Sequence, residues 1–237
     1  MIHPLGADRR FWEPAASGLA GDFDLIACDL RSAGMSPVAG RPLAVADHVG
    51  DLRMLVDELR LDRFWVVGCA VGAVIAAGFA AAVRDRVDGV ILTNPTVSFS
   101  KPAREMLNDR SNIILEQGMA AIVDQVIERA FYRLPPNSSE GFRRHFVEQP
   151  AQGYADLARG ICTADISEDL GRIGAPALVI SSPNDLLLPP DRADEVAALL
   201  PDATSISIEA AAHFIPYQAP GAFADMAREF TQRSMQH

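Results

Sequence analysis

From about residue 45 onward, short apolar runs alternate with longer amphipathic segments. Residues 45–60 set Val49, Leu52, Leu55, Val56 and Leu59 at helical spacing and leave Asp51, Arg53, Asp57 and Glu58 for water. The apolar runs 64–68, 88–93, 176–182 and 204–209 read as strands, with helices at 71–84, 190–200 and 219–233. Upstream, 11–19 reads as a short helix and 23–28 as a further strand. Strand-helix alternation of this kind implies a mostly parallel, doubly wound sheet covered on both faces, an α/β fold.

Between Pro95 and Ala175 the alternation stops. A stretch of roughly eighty helix-only residues is far too long for a connecting loop. The chain therefore divides into a core, 1–95 and 175–237, and a helical insertion, 96–174, read as a lid. Within the insertion Met119, Ile122, Val123, Val126 and Ile127 form one apolar stripe, read as packing with no ligand. Pro135-Pro136-Asn137-Ser138-Ser139 is a polar break between its helices.

The strand at 64–68 runs into Gly68-Cys69-Ala70-Val71-Gly72 and then a helix of small residues. Two glycines flanking a strand-to-helix bend have the form of a nucleophile elbow, whose apex pushes one side chain into an active site. Here the apex is Ala70, which has no hydroxyl and cannot form an acyl-enzyme. Cys69 is no substitute, because adjacent side chains leaving a strand point to opposite faces; it reads as a small core residue. Two further signals follow later strands: Asp185 in Ser181-Ser182-Pro183-Asn184-Asp185, and His213 in Ala210-Ala211-Ala212-His213-Phe214. Either alone would pass for a turn aspartate or a surface histidine. In a doubly wound sheet, however, the carboxyl ends of the strands share one edge, so Ala70, Asp185 and His213 are expected to meet in one crevice. Asp185 would accept from one imidazole nitrogen and leave the other facing the crevice as a base.

Bulk properties narrow the partners. The 237 residues carry 21 Lys and Arg against 31 Asp and Glu, a formal charge of -10. That balance argues against nucleic acid and against an anionic membrane surface. The three cysteines, Cys28, Cys69 and Cys162, have no metal-ligand spacing and point to a reducing compartment rather than a disulfide framework. With neither a leader pattern nor a membrane-length apolar run, a cytoplasmic location is the expectation. The expected partner is a small-molecule substrate, with no metal and no organic cofactor, and a homodimer is left open beside a monomer.

Taken together, these motifs resemble the α/β-hydrolase superfamily, nearest to the 3-oxoadipate enol-lactonase-like group. The likeness is carried by the His3-Pro4-Leu5-Gly6 turn, the segment Asp29-Leu30-Arg31-Ser32-Ala33-Gly34-Met35-Ser36, the elbow, Asp185 and His213. It extends to Glu116-Gln117-Gly118-Met119-Ala120-Ala121-Ile122 and to the stretch from Gly153-Tyr154 to Asp165, which are similar to that group's lid. The resemblance implies an oxyanion hole made by the backbone N–H groups of Leu5 and Val71. It also implies a buried strand directly before the His-Pro-Leu-Gly turn, where only Met1 and Ile2 stand. The N-terminal strands are thus expected to be missing, through an internal start codon or a clipped chain, with poor stability as the consequence. Where the enol-lactonases carry a lid tryptophan and arginine, this chain has Ala130 and Cys162, which argues against recognition of that dicarboxylate lactone. An alanine elbow is similar to that of the aminoacrylate hydrolases.

Four functions fit a dyad without a nucleophile. His213 steered by Asp185 could activate water against a reactive ester, enol lactone or enamine. The dyad could abstract a substrate proton in a cofactor-free oxygenase or lyase. The chain could be a non-catalytic binder, or a serine hydrolase carrying a serine-to-alanine change made to trap a ligand. As substrate-binding candidates, Arg9 and Arg10 follow the oxyanion turn, while Phe131, Tyr154 and Phe214 are aromatics expected near the pocket. Arg143, Arg144 and His145 on the insertion read as solvated.

Overall fold

Four parallel strands form the frame: β1 (Phe64–Cys69), β2 (Val87–Thr93), β3 (Ala177–Ser181) and β4 (Ala203–Ser207), in the spatial order β1-β2-β3-β4. The computed structural model describes residues 1–235. Helices α1 (Glu13–Leu19) and α2 (Val45–Glu58) precede the sheet, and α3 (Val71–Ala82) joins β1 to β2. Side chains along the strands alternate between two cores. Val66, Val90, Leu92, Ala177 and Val179 join a core with buried residues of the helices at 45–58, 71–82 and 190–199, whereas Cys69, Ile91, Leu178 and Ile180 join the other core. This two-sided burial is why the strands read as near-continuous apolar runs.

The insertion supplies α4 (Lys101–Gln117), α5 (Val123–Ala130), α6 (Glu140–Val147), α7 (Ala151–Ile161) and α8 (Ser167–Arg172). Helix α4 packs along α7, while α8 returns to the core against α3. After β3 come α9 (Pro190–Leu199), β4, the short α10 (Ile215–Gln218) and α11 (Pro220–Ser234), which packs on α1. Among the described residues no helix is long and apolar enough to cross a membrane.

The segment 23–28, expected as a strand, forms no ladder. A strand needs a neighbour about 4.8 Å away, and between this segment and β1 lies a cleft of about 360 Å³ lined by Met1, Ile2, Phe23, Leu25, Trp65 and Val67. On the side of β1 away from β2, among the described residues, Ile2 alone pairs with it: its N–H donates to Val67 O at 2.8 Å, and Cys69 N–H donates to Ile2 O at 3.3 Å. The 23–28 segment is held instead by the Met1 amino group, which donates to Ile26 O at 2.7 Å.

The strand ends carry the ladder one step past the sheet. Ala70 N–H donates to Thr93 O at 2.9 Å, Asn94 N–H to Ile180 O at 2.8 Å, and Ile208 N–H to Ser181 O at 2.9 Å. These bonds fix the first residue beyond β1, β2 and β4 on one edge.

Candidate active site

Ala70 is the hinge between β1 and α3. Its φ of 52° and ψ of −115° put a residue with a side chain in a region costing about 1–3 kcal/mol, so the surroundings must hold it there. The two flanking glycines make the bend sterically feasible. A Cβ on Gly68 would lie 2.7 Å from the Ala73 Cα, and one on Gly72 would lie 2.6 Å from the His3 carbonyl oxygen. The elbow thus persists with a methyl at its apex, 2 % exposed.

Opposite the elbow, His213 Nδ1 lies 2.8 Å from Asp185 Oδ2, both residues buried. The Asp185 carboxylate is fully engaged. Its Oδ1 accepts the N–H groups of Leu187 at 2.8 Å and Leu188 at 2.9 Å, and its Oδ2 also accepts the Asn94 side-chain amide at 2.9 Å. Burial pushes this carboxyl up, but the facing imidazole and the converging N–H donors outweigh it and hold the group below the ordinary carboxylate range. A carboxylate on Nδ1 makes that nitrogen the donor and leaves Nε2 with its lone pair. Nε2 makes no hydrogen bond among the described residues.

The loop bearing His213 is pinned from several sides. Ser182 Oγ donates to Ala211 O at 2.6 Å, and the Asn94 amide reaches Ala212 O at 3.0 Å. Gln218 accepts from Ala212 N–H at 2.8 Å and donates to Ala130 O at 2.7 Å; the His213 N–H also donates to that Ala130 carbonyl, at 3.2 Å. The insertion therefore helps to place the imidazole. Neither Asn94 nor Gln218 was among the residues expected from sequence, although Asn94 stands one residue past a strand end, the position where chemistry gathers in such sheets.

His213, Ala70, Val71 and Leu5 line one cavity of about 90 Å³, with Tyr154 and Phe214. The Leu5 and Val71 N–H groups donate to no protein acceptor among the described residues. Val71 is the first residue of α3, where the helix leaves its N–H unpaired. His3 buttresses the turn: Nδ1 meets Pro4 O at 2.9 Å, and Leu30 N–H donates to Nε2 at 3.0 Å.

Three of the expected substrate contacts are elsewhere. Arg9 is paired with Asp29 at 2.7 Å, and Arg10 with Asp8 at 2.7 Å and Glu148 at 2.9 Å, so neither guanidinium reaches the cavity. Phe131 packs edge-on against Phe214 with centroids 5.8 Å apart, in the layer behind the wall. Arg143 is paired with Asp124 at 2.6 Å. Ala130 and Cys162 are both buried off the cavity, and Val126 of the apolar stripe lines it. Cys69 is wholly buried, and burial pushes its thiol up. Among the lining residues that the sequence reading did not single out is Arg110 of α4.

Comparison with known proteins agrees with this geometry. A protein from Caulobacter sp. strain K31 named carbamate hydrolase RutD is 30% identical over 92% of this chain and 84% of its own. Among solved structures, the enol-lactonase of Burkholderia xenovorans LB400 superposes with a TM-score of 0.90 and 27% identity, covering 98% of this chain and 89% of that one. A thermophilic esterase from Thermogutta terrifontis gives a TM-score of 0.91 with 26% identity, covering 98% and 88%. The alpha/beta hydrolase fold family matches residues 1–220, and with the elbow, the acid and the histidine in that order along one sheet edge, the chain belongs to that family.

Proposed function

We propose that this hydrolase cleaves a small, reactive carbonyl compound by direct attack of water, with His213 as general base and no covalent intermediate. The observation that carries the reading is the 2.8 Å contact between His213 Nδ1 and Asp185 Oδ2, opposite an apex that bears only a methyl group. A water over Ala70 would give a proton to Nε2 as its oxygen bonds the substrate carbon. The carbonyl π electrons move to oxygen, where the Leu5 and Val71 N–H groups would receive the charge. Collapse of that tetrahedral species expels the leaving group, which takes the proton back from His213, and the Asp185 carboxylate holds the imidazolium in place between the two steps.

General-base assistance supplies about 10²–10⁴ in rate and one oxyanion donor about 10²–10³. Without a nucleophile this suffices for an enamine, an enol lactone or an activated ester rather than an ordinary amide. The names of the relatives, a carbamate hydrolase, an enol-lactonase and an esterase, support a small carbonyl substrate.

The test is a comparison of native chain, Ala70→Ser and His213→Ala on an activated ester, with a fluorophosphonate as covalent probe. The expected result is turnover by the native chain without labelling, lost by at least a hundredfold in His213→Ala, and labelling only of Ala70→Ser. Native turnover that survives His213→Ala would overturn the reading, as would native inactivity alongside brisk turnover by Ala70→Ser, the behaviour of a serine hydrolase deprived of its hydroxyl. Oxygen uptake by the native chain without hydrolysis would assign the dyad to proton abstraction instead.

A further inference from the structure

The wall of the cavity formed by α4 consists of Ala103, Met106, Leu107 and Arg110. Their spacing of three, one and three residues is one helical face, and along such a face the fourth position should be apolar. It is an arginine, 8 % exposed. Arg110 is the one buried arginine among the described residues, and it forms no ion pair with any of them. The contrast with Arg9, Arg10 and Arg31, each held by a carboxylate nearer the surface, is chemical as well as positional.

A buried lysine or histidine can escape the cost of desolvation by losing its proton; a guanidinium cannot. An uncompensated buried charge is among the more expensive things a fold can hold. Its neighbour offers no counter-charge: burial pushes the Tyr154 phenol up, so the hydroxyl stays neutral, while the Arg110 charge pulls the other way. Among the described residues, no aspartate or glutamate lines the cavity. The missing negative charge therefore has to come from what enters the cavity.

We infer that Arg110 binds a carboxylate of the substrate, which makes the substrate a short anionic carbonyl compound. A cavity needs about 10–15 Å³ of such space per water-sized group, so about 90 Å³ holds several non-hydrogen atoms. That is room for a carboxylate and a reacting carbon separated by a short chain, with the carboxylate on the α4 wall and the reacting carbon beside Ala70 and His213. The planar fork of arginine matches the two oxygens of a carboxylate, which sets the substrate's orientation as well as its charge. The inference rests on the hydrolytic reading for the word substrate, but its binding half stands apart from turnover.

The test uses malonate as a binding probe and monomethyl malonate against dimethyl malonate as substrates, on the native chain, Arg110→Met and Arg110→Lys. Malonate should bind about ten- to a hundredfold more weakly to Arg110→Met than to the native chain, with Arg110→Lys between. Hydrolysis of the monomethyl ester should lose kcat/KM through KM in Arg110→Met, with the dimethyl ester unaffected. A merely structural arginine would instead lower thermal stability and both esters' kcat/KM together, which would overturn the inference. If Arg110→Met fails to fold, the native chain's own preference decides: equal kcat/KM for the two esters, or malonate binding equal to that of neutral malonamide, overturns it. Arg110-dependent malonate binding without hydrolysis of the methyl esters or of the activated ester would sustain this inference while removing the hydrolytic one.

Discussion

The side-chain amide of Asn94 donates to Asp185 Oδ2 at 2.9 Å, the same oxygen that meets His213 at 2.8 Å. Asn94 follows β2 with φ of 50°, a left-handed conformation that asparagine tolerates better than most residues. It therefore aims one amide at both the acid and the carbonyl of Ala212.

Because a hydrogen bond to a charged group is worth about 1.5–3 kcal/mol, removing the amide should cost about tenfold or more in kcat/KM. Asn94→Gly keeps the backbone and deletes the amide, whereas Asn94→Ala adds about 1–2 kcal/mol of backbone strain. Both variants should lose similar activity, with the alanine variant also less stable to urea. Full activity in Asn94→Gly would mean that the amide does not orient Asp185.

Acid should weaken the fold before the carboxylates titrate. Burial lowers His3 below its ordinary value, and burial takes His48 down to about 4, its two ring nitrogens having no hydrogen-bond partner among the described residues. The unfolded chain binds these protons near pH 6.5 and the folded chain does not, so stability rises with pH across this window and is lost as pH falls toward 4. For His48 the loss amounts to roughly 3 kcal/mol. Urea midpoints measured from pH 7 to pH 4 should fall steadily, and His48→Leu should flatten the slope. A midpoint independent of pH over that range contradicts the assignment.

The second glycine of the elbow should be intolerant of any side chain. In Gly72→Ala the new methyl would press on the backbone of Ile2 and His3, with the Ile2 carbonyl carbon at 2.8 Å and the His3 oxygen at 2.6 Å. Neither backbone can retreat without moving the His3-Pro4-Leu5-Gly6 turn. A loss of about 3 kcal/mol is expected from overpacking of this kind, together with loss of activity out of proportion to the fraction unfolded. A variant as stable as the native chain would show that the turn is free to shift.

Removing the surface arginines should leave catalysis intact. Arg9 and Arg10 are committed to Asp29, Asp8 and Glu148 outside the cavity, so Arg9→Ala and Arg10→Ala should change kcat/KM by less than about twofold even for an anionic substrate. Arg10→Ala should cost some stability, because Asp8 is buried and loses its guanidinium partner. A tenfold rise in KM from either change would return these residues to the binding site.

Local chemistry decided what the chain alone could tell. Strand-helix alternation, the paired glycines around residue 70, and an acid and a histidine each following a strand are properties of short segments, and they were enough to bring Ala70, Asp185 and His213 to one sheet edge. The strand expected at 23–28 failed because a strand depends on its neighbour, and apolar composition says nothing of whether a neighbour is there. The arginines divide in the same way. In sequence Arg9 and Arg10 stand beside the oxyanion turn and Arg110 looks like one more polar residue of a long helix. Proximity along the chain does not say which carboxylates lie across the fold. Only tertiary packing brought Asp29 to Arg9 and Glu148 to Arg10, buried Arg110 with no ion-pair partner among the described residues, and set its helix face opposite Ala70 and His213.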